Sequence, residues 1–168
     1  MQTQTHNDSV RILMYSKSMA RIYYEDIELH QKFRSRKYLL TEEEIIEFAQ
    51  KWDPMPFHTD PECAKKTRFG GLFASGFHLL DICHRLAWEM FPDIAAIAGL
   101  GLDEVRWNLP GRPGDYMTCE GSITAKRSTK SQPDVGFVRF YWSLVNDKEQ
   151  LVMSYNANIL IHKQASQA

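Results

Sequence analysis

Between residues 77 and 91 the chain reads FHLLDICHRLAWEMF, a stretch whose apolar side chains, Phe77, Leu79, Leu80, Ile82, Cys83 and Leu86 among them, cover most of a helical circumference. His78, Asp81, Arg85 and Glu89, spaced three, four and four, leave one narrow polar stripe, of which Asp81, Arg85 and Glu89 are expected to make ordinary ion pairs facing solvent or a partner subunit. A helix that is apolar on nearly every side is buried on nearly every side. The segment is shorter than the ~18 uninterrupted apolar residues of a membrane span, and no such run occurs elsewhere. The chain itself must therefore wrap this helix.

The wrapping material is extended. Residues 116–126, 135–146 and 151–162 are rich in β-branched and aromatic residues and are separated by polar turns. In the last of these, Leu151, Met153, Tyr155, Ala157, Ile159 and Ile161 alternate with mostly polar neighbours, which predicts one buried face. QKFRSRKYLL (31–40) and LDEVRWNLP (102–110) add two strands, and PGRPGD (110–115) and NDKEQ (146–150) add turns. The expected architecture is α+β: a five-stranded antiparallel sheet curled around one long central helix. The open edges and second face of such a sheet call for another copy, so a homodimer or higher homo-oligomer is expected.

At 168 residues and 43% hydrophobic, the chain suits one domain with a substantial core. Residues 23–163 are assigned to it, with polar tails at 1–22 and 164–168. Twenty basic against 21 acidic side chains give no field that would draw in nucleic acid or an anionic membrane. Three widely spaced cysteines, with no CxxC, argue against a disulfide framework or structural metal site and for a reducing, cytoplasmic setting. His78 and His84 lie six apart and share no helix face, so no metal is expected there either.

TEEEIIEFAQKW (41–52) has a capping box at Thr41 and Glu44, with Ile45, Phe48, Ala49 and Trp52 on one apolar face. Pro54 disfavours the α conformation at Asp53, which puts the aspartate at the helix exit. The following DPMPFH (53–58) sets Asp53 and His58 five positions apart in a proline-stiffened bend, expected to be neither helix nor strand. Asp53 has an alternative reading as a solvated helix end, although the helix dipole disfavours a carboxylate there. His58 taken alone also suits a structural role. FASGFH (73–78) opens the buried helix. Gly76 is placed to offer a backbone amide to an oxyanion, or serves as an ordinary helix start with Ser75 as N-cap. Ser75 is not in a GxSxG elbow, because Phe73 and Phe77 stand where glycines would be.

DPMPFH, then FASGFH, then GLGLDEVRWNLPGRPGD (99–115), in that order, resemble the MaoC-like dehydratase family of hot-dog folds, which includes the (R)-specific enoyl-CoA hydratases. The resemblance runs from about Tyr23 to Lys163. The family pattern is aspartate, any residue, asparagine, proline, an aliphatic residue, histidine. Asp53, Pro56 and His58 match it, whereas Met55 stands for the asparagine and Phe57 for the aliphatic residue. The resemblance implies Asp53 and His58 as the catalytic pair, Gly76 with Ser75 as the oxyanion and substrate-binding turn, and a 2-enoyl or 3-hydroxyacyl thioester of coenzyme A or an acyl carrier as substrate. No separate cofactor or metal is implied. Lys126, Arg127 and Lys130 form a local cationic cluster suited to coenzyme A phosphates, or a solvated hairpin turn. Two rival functions on the same fold are thioester hydrolysis and catalytically silent acyl-thioester binding.

Overall fold

The structure, a computed structural model, describes residues 21–129 and 132–164. Most of both expected tails (1–20 and 165–168) and Lys130 lie outside the described residues. Ile22, assigned to the tail, makes a parallel bridge with Ile94 and donates its N–H to the Asp93 carbonyl at 2.9 Å.

Five strands, β1 (Lys32–Leu39), β2 (Ala96–Trp107), β3 (Tyr116–Ser128), β4 (Val135–Val145) and β5 (Leu151–His162), form one antiparallel sheet in the order β1-β3-β4-β5-β2. The helix that the sheet wraps is α4 (Gly76–Glu89). Its Leu79, Ile82, Cys83 and Leu86 are buried in one cluster with Met117, Phe140, Met153 and Tyr155 of the strands. This is the hot-dog layout that the resemblance implies. Glycine permits the closest approach within the sheet: at Gly121 an added Cβ would lie 2.0 Å from the ring of Trp142, its register partner on β4.

Several expectations change in detail. β2 begins at Ala96 rather than Leu102, because AIAGLG pairs with β5 despite its two glycines; register shifts between Gly99 and Gly101 and again between Asp103 and Arg106 absorb the irregularity. β5 is not buried on one face alone. Ser154 and Asn156, on the polar alternation, are 9% and 8% exposed, and Asn156 donates to Glu104 at 2.6 Å, so a neighbouring polar side chain helps to cover that face. The polar stripe of α4 also divides. Asp81, Arg85 and Glu89 are exposed, and Glu89 pairs with both Arg85 and Arg36. His78 is buried and stacks on Phe48 with ring centroids 4.6 Å apart. Phe77, on the supposedly covered surface, is 62% exposed.

The capping box of α1 (Glu42–Trp52) is present, with Thr41 Oγ1 accepting from Glu44 N–H at 3.2 Å. Trp52 is 66% exposed instead of continuing the apolar face, and Lys51 sits over its ring. The DPMPFH bend is partly helical: α2 spans Pro56–Thr59. Proline is tolerated at the first helical position because its missing N–H would have had no intrahelical acceptor, and the expectation of no helix overlooked this. A second proline starts α3 (Pro61–Lys65), where Asp60 caps the Glu62 and Cys63 amides. Among the described residues no helix is long and apolar enough to cross a membrane.

Candidate active site

Asp53 is where α1 stops. Its N–H still reaches the Ala49 carbonyl at 2.9 Å, but its backbone leaves the helical region because Pro54 follows. The chain then reverses sharply: Met55 N–H donates to Asp53 O at 2.7 Å, and His58 N–H donates to Met55 O at 2.8 Å. One turn of α2 thus carries His58 back beside Asp53. His58 Nε2 lies 3.7 Å from Asp53 Oδ2, and the imidazole side chain is only 7% exposed.

The other ring nitrogen decides the tautomer. His58 Nδ1 is 2.7 Å from the carbonyl oxygen of Phe73. A carbonyl only accepts, so Nδ1 carries the hydrogen, and in the neutral ring Nε2 presents a lone pair toward Asp53. Phe57 and Phe73 meet the imidazole edge on, each with ring centroids 4.6 Å away, and restrict its rotation.

Asp53 is oriented from α4. Ser75 is fully buried; its hydroxyl donates to Asp53 Oδ2 at 2.6 Å, and its Oγ accepts from Phe77 N–H at 3.2 Å. One side chain therefore caps the central helix and aims the carboxylate. Gly76 follows as the first residue of α4, where an N–H has no intrahelical acceptor and the helix dipole is positive. Close packing requires glycine here, since an added Cβ would stand 2.7 Å from the Trp107 ring, whose Nε1 donates to Gly76 O at 2.8 Å.

Asp53, His58 and Gly76 line one cavity of about 350 Å³, walled on the apolar side by Phe73, Phe77 and Trp107. A carboxylate, an imidazole and a helix N-terminus on one small apolar space are the kinds of group that proton transfer beside an oxyanion requires. Met55 is not among the lining residues; its side chain is 46% exposed and its backbone caps α2.

The cationic cluster lies elsewhere. Lys126 donates to Ile27 O at 2.6 Å and sits over the Tyr24 ring, tying the N-terminal segment to β3, while Arg127 stacks on Phe137. Neither lines the cavity. Arg106 is exposed and donates to the Val105 carbonyl, and Asp103 and Glu104 face Arg139. Sequence reasoning missed Trp107 and the Phe73 carbonyl. A tryptophan 31 residues from its acceptor leaves no local pattern, and a backbone oxygen leaves none at all.

The family model described as MaoC like domain matches residues 26–139. The chain is 28% identical over 141 residues to the uncharacterized protein YdeM of Bacillus subtilis strain 168, which covers 83% of this chain and 98% of that protein. The crystal structure of the MaoC-like dehydratase from Rhodospirillum rubrum is similar with a TM-score of 0.80 and 32% identity, covering 86% of this chain and 99% of that one. The (R)-hydratase from A. caviae involved in PHA biosynthesis shares the fold, with a TM-score of 0.64 at 23% identity over 80% of this chain and 97% of that one.

Proposed function

The chain belongs to the MaoC-like domain family, and on that premise we propose that it is a hydratase or dehydratase that interconverts a 2-enoyl thioester and water with the 3-hydroxyacyl thioester. The observation that carries this reading is the 3.7 Å approach of Asp53 and His58 on a cavity whose wall includes the N-terminus of α4.

In the hydration direction the thioester oxygen sits at the Gly76 amide, where the N–H and the helix dipole stabilise the negative charge that gathers on it as water attacks C3. His58 Nε2 takes the proton that the attacking water gives up, and the Asp53 carboxylate stabilises the imidazolium. The same proton then goes to C2, so the pair ends as it began and the product has gained one water. Ser75 holds Asp53 through this cycle. Coenzyme A or an acyl carrier would bear the acyl group. No other cofactor has a part in these steps.

We also propose a homodimer formed through β2. Of the two edge strands, β1 is guarded by Lys32, Arg34, Arg36 and Lys37, charges that discourage strand addition. The first half of β2, AIAGLGL, has none, and its Ile97, Leu100 and Leu102 are 42%, 58% and 43% exposed.

The test uses crotonyl-CoA. Loss of the enoyl ultraviolet absorbance without thiol release supports hydration, and thiol release instead indicates thioester hydrolysis. Neither signal, with acyl-CoA still raising the melting temperature, indicates a silent binding subunit.

A further inference from the structure

Arg112 lies in the GRPGD turn before β3 and does not line the cavity, yet it reaches across to the loop that does. Its Nη1 donates to Gly71 O at 2.8 Å and Leu72 O at 3.2 Å, and its Nη2 donates to Phe69 O at 2.5 Å. The root of the side chain is held as well, because Arg112 N–H donates to Asp115 Oδ2 at 2.7 Å. The guanidinium carbon stands 5.9 Å from the centre of the Phe73 ring.

The loop between α3 and α4 is held at its far end by the core, where Leu72 and Ala74 are buried and Phe73 stacks on Phe57 with ring centroids 5.5 Å apart, while Arg112 gathers the carbonyls that precede it. It is neither helix nor strand, and it contains Gly70 at φ +68°. Its backbone-to-backbone ties among the described residues include Gly70 N–H to Thr67 O and Ala74 N–H to Gly111 O. Three carbonyls converge on one guanidinium, whose rigid planar fork of donors meets them together in a way a single ammonium does not reproduce. The loop ends at Phe73, whose carbonyl holds His58 Nδ1 at 2.7 Å and whose ring fixes the imidazole edge on.

We propose that Arg112 is a positioning residue for His58: by clamping the carbonyls of residues 69–72 it keeps the Phe73 carbonyl on Nδ1, and so keeps Nε2 bare and facing Asp53. A displaced Phe73 carbonyl would free the ring to exchange tautomers and rotate. The consequence for turnover rests on the hydratase reading; the tautomer does not.

The experiment records the imidazole ¹⁵N resonances of the full chain in wild type, Arg112→Met and Arg112→Lys, with crotonyl-CoA kinetics and thermal melting in parallel. Wild-type His58 is expected as one neutral tautomer with hydrogen on Nδ1. Both variants are expected to fold and to show a tautomer mixture. Their kcat should fall by about 10- to 100-fold, the scale of a small misplacement of a reacting group, with KM changed less than about threefold. Methylguanidinium added to Arg112→Ala should restore part of the rate and the single tautomer. A folded Arg112→Met with the unchanged single tautomer overturns the proposal, as does loss of fold in both the Met and Lys variants, which would make Arg112 structural only. If wild type hydrates nothing while the tautomer still follows Arg112, the hydratase reading fails and the positioning role stands.

Discussion

The Ser75 hydroxyl donates to Asp53 Oδ2 at 2.6 Å across 22 residues of sequence, joining the exit of one helix to the start of another. The same oxygen caps α4 through Phe77 N–H. Replacing Ser75 by alanine therefore acts twice. Loss of the cap should lower stability by about 1 kcal/mol, seen in urea unfolding. Loss of the carboxylate's partner should slow crotonyl-CoA hydration more than that cost in stability accounts for. Ser75→Thr keeps the hydroxyl and should retain most of the rate; equal rates in the alanine and wild-type proteins would show that Asp53 needs no such support.

Asp53→Asn and His58→Ala should each reduce kcat by about 10²- to 10⁴-fold, the usual contribution of a positioned acid or base. His58 is buried between two aromatic rings, so His58→Gln is the better-packed companion and should be as inactive. Steady-state rates and melting curves on the same samples separate lost chemistry from lost fold. Wild-type rates in any of the three would remove the pair from the mechanism.

Acid sensitivity should trace to His78 on α4. Burial lowers its pKa below the ordinary value, against the opposing pull of Glu44 and Asp81. Among the described residues His78 Nδ1 has no hydrogen-bond partner, which fits a ring kept neutral by its surroundings. A histidine with a depressed folded-state pKa binds its proton more readily when unfolded. Its contribution is therefore whole above the unfolded value of 6.5 and is lost as pH falls below it. Urea midpoints measured from pH 7.5 to 5.5 should decline in wild type and decline less in His78→Phe. Parallel curves for the two proteins would exclude His78 as a source of the slope.

Much of this fold was legible because its cause is local. The α1 capping box, the apolar circumference of α4 and the strand-forming composition of β5 are each written within one element, and each set the element it was read from, although β5 is buried on both faces where alternation predicted one. What escaped depends on partners distant in sequence. His78 looked polar until Phe48 stacked on it, and Trp107 looked like an ordinary strand residue until its ring fell on Gly76. The candidate pair was visible because prolines on both sides of Met55 confine the short path between Asp53 and His58. Lys126 and Arg127 stand together in sequence, and their contacts, with Ile27 and Phe137, are made by residues that do not line the cavity.

At Gly76 even one added carbon is predicted to cost measurable stability. Because the added Cβ would meet the Trp107 ring at 2.7 Å, Gly76→Ala should push the indole away and break its bond to Gly76 O. Trp107 is 49% exposed and free to yield, so the cost should be near the lower end of the 1–3 kcal/mol typical of overpacking, about 1 kcal/mol. Trp107→Leu should relieve much of it, and a double-mutant cycle in urea would read the coupling. Additive effects of the two changes would mean that the residues do not touch.

The three thiols should react in an order that burial dictates. Cys83 and Cys119 are fully buried with sulfurs 3.6 Å apart, and burial raises the Cys119 pKa well above that of a free thiol. Cys63 is only half-buried. Thiolate is the reactive form, so a disulfide reagent at neutral pH should titrate one cysteine rapidly in the native protein and all three at once in denaturant. Mass mapping should place the fast adduct on Cys63, and rapid labelling of Cys83 would mean that α4 is less tightly wrapped than its packing implies.

The proposed dimer can be broken at the uncharged half of β2. Leu100 is its most exposed large side chain, and a lysine at Leu100 or Leu102 would set two like charges near each other when antiparallel β2 strands meet, besides removing apolar contact. Because both side chains are already largely solvated in the single chain, the substitutions should leave its fold and α4 intact. Sedimentation of wild type should give twice the 19.5 kDa chain mass, and Leu100→Lys/Leu102→Lys should shift it toward one chain at micromolar concentration. Phe77 and Trp107, which line the cavity, are also among the exposed apolar side chains, so the separated chain should lose hydration activity as well as mass. A wild-type protein that sediments as a single chain, or a double variant that stays dimeric, would place the contact somewhere other than β2.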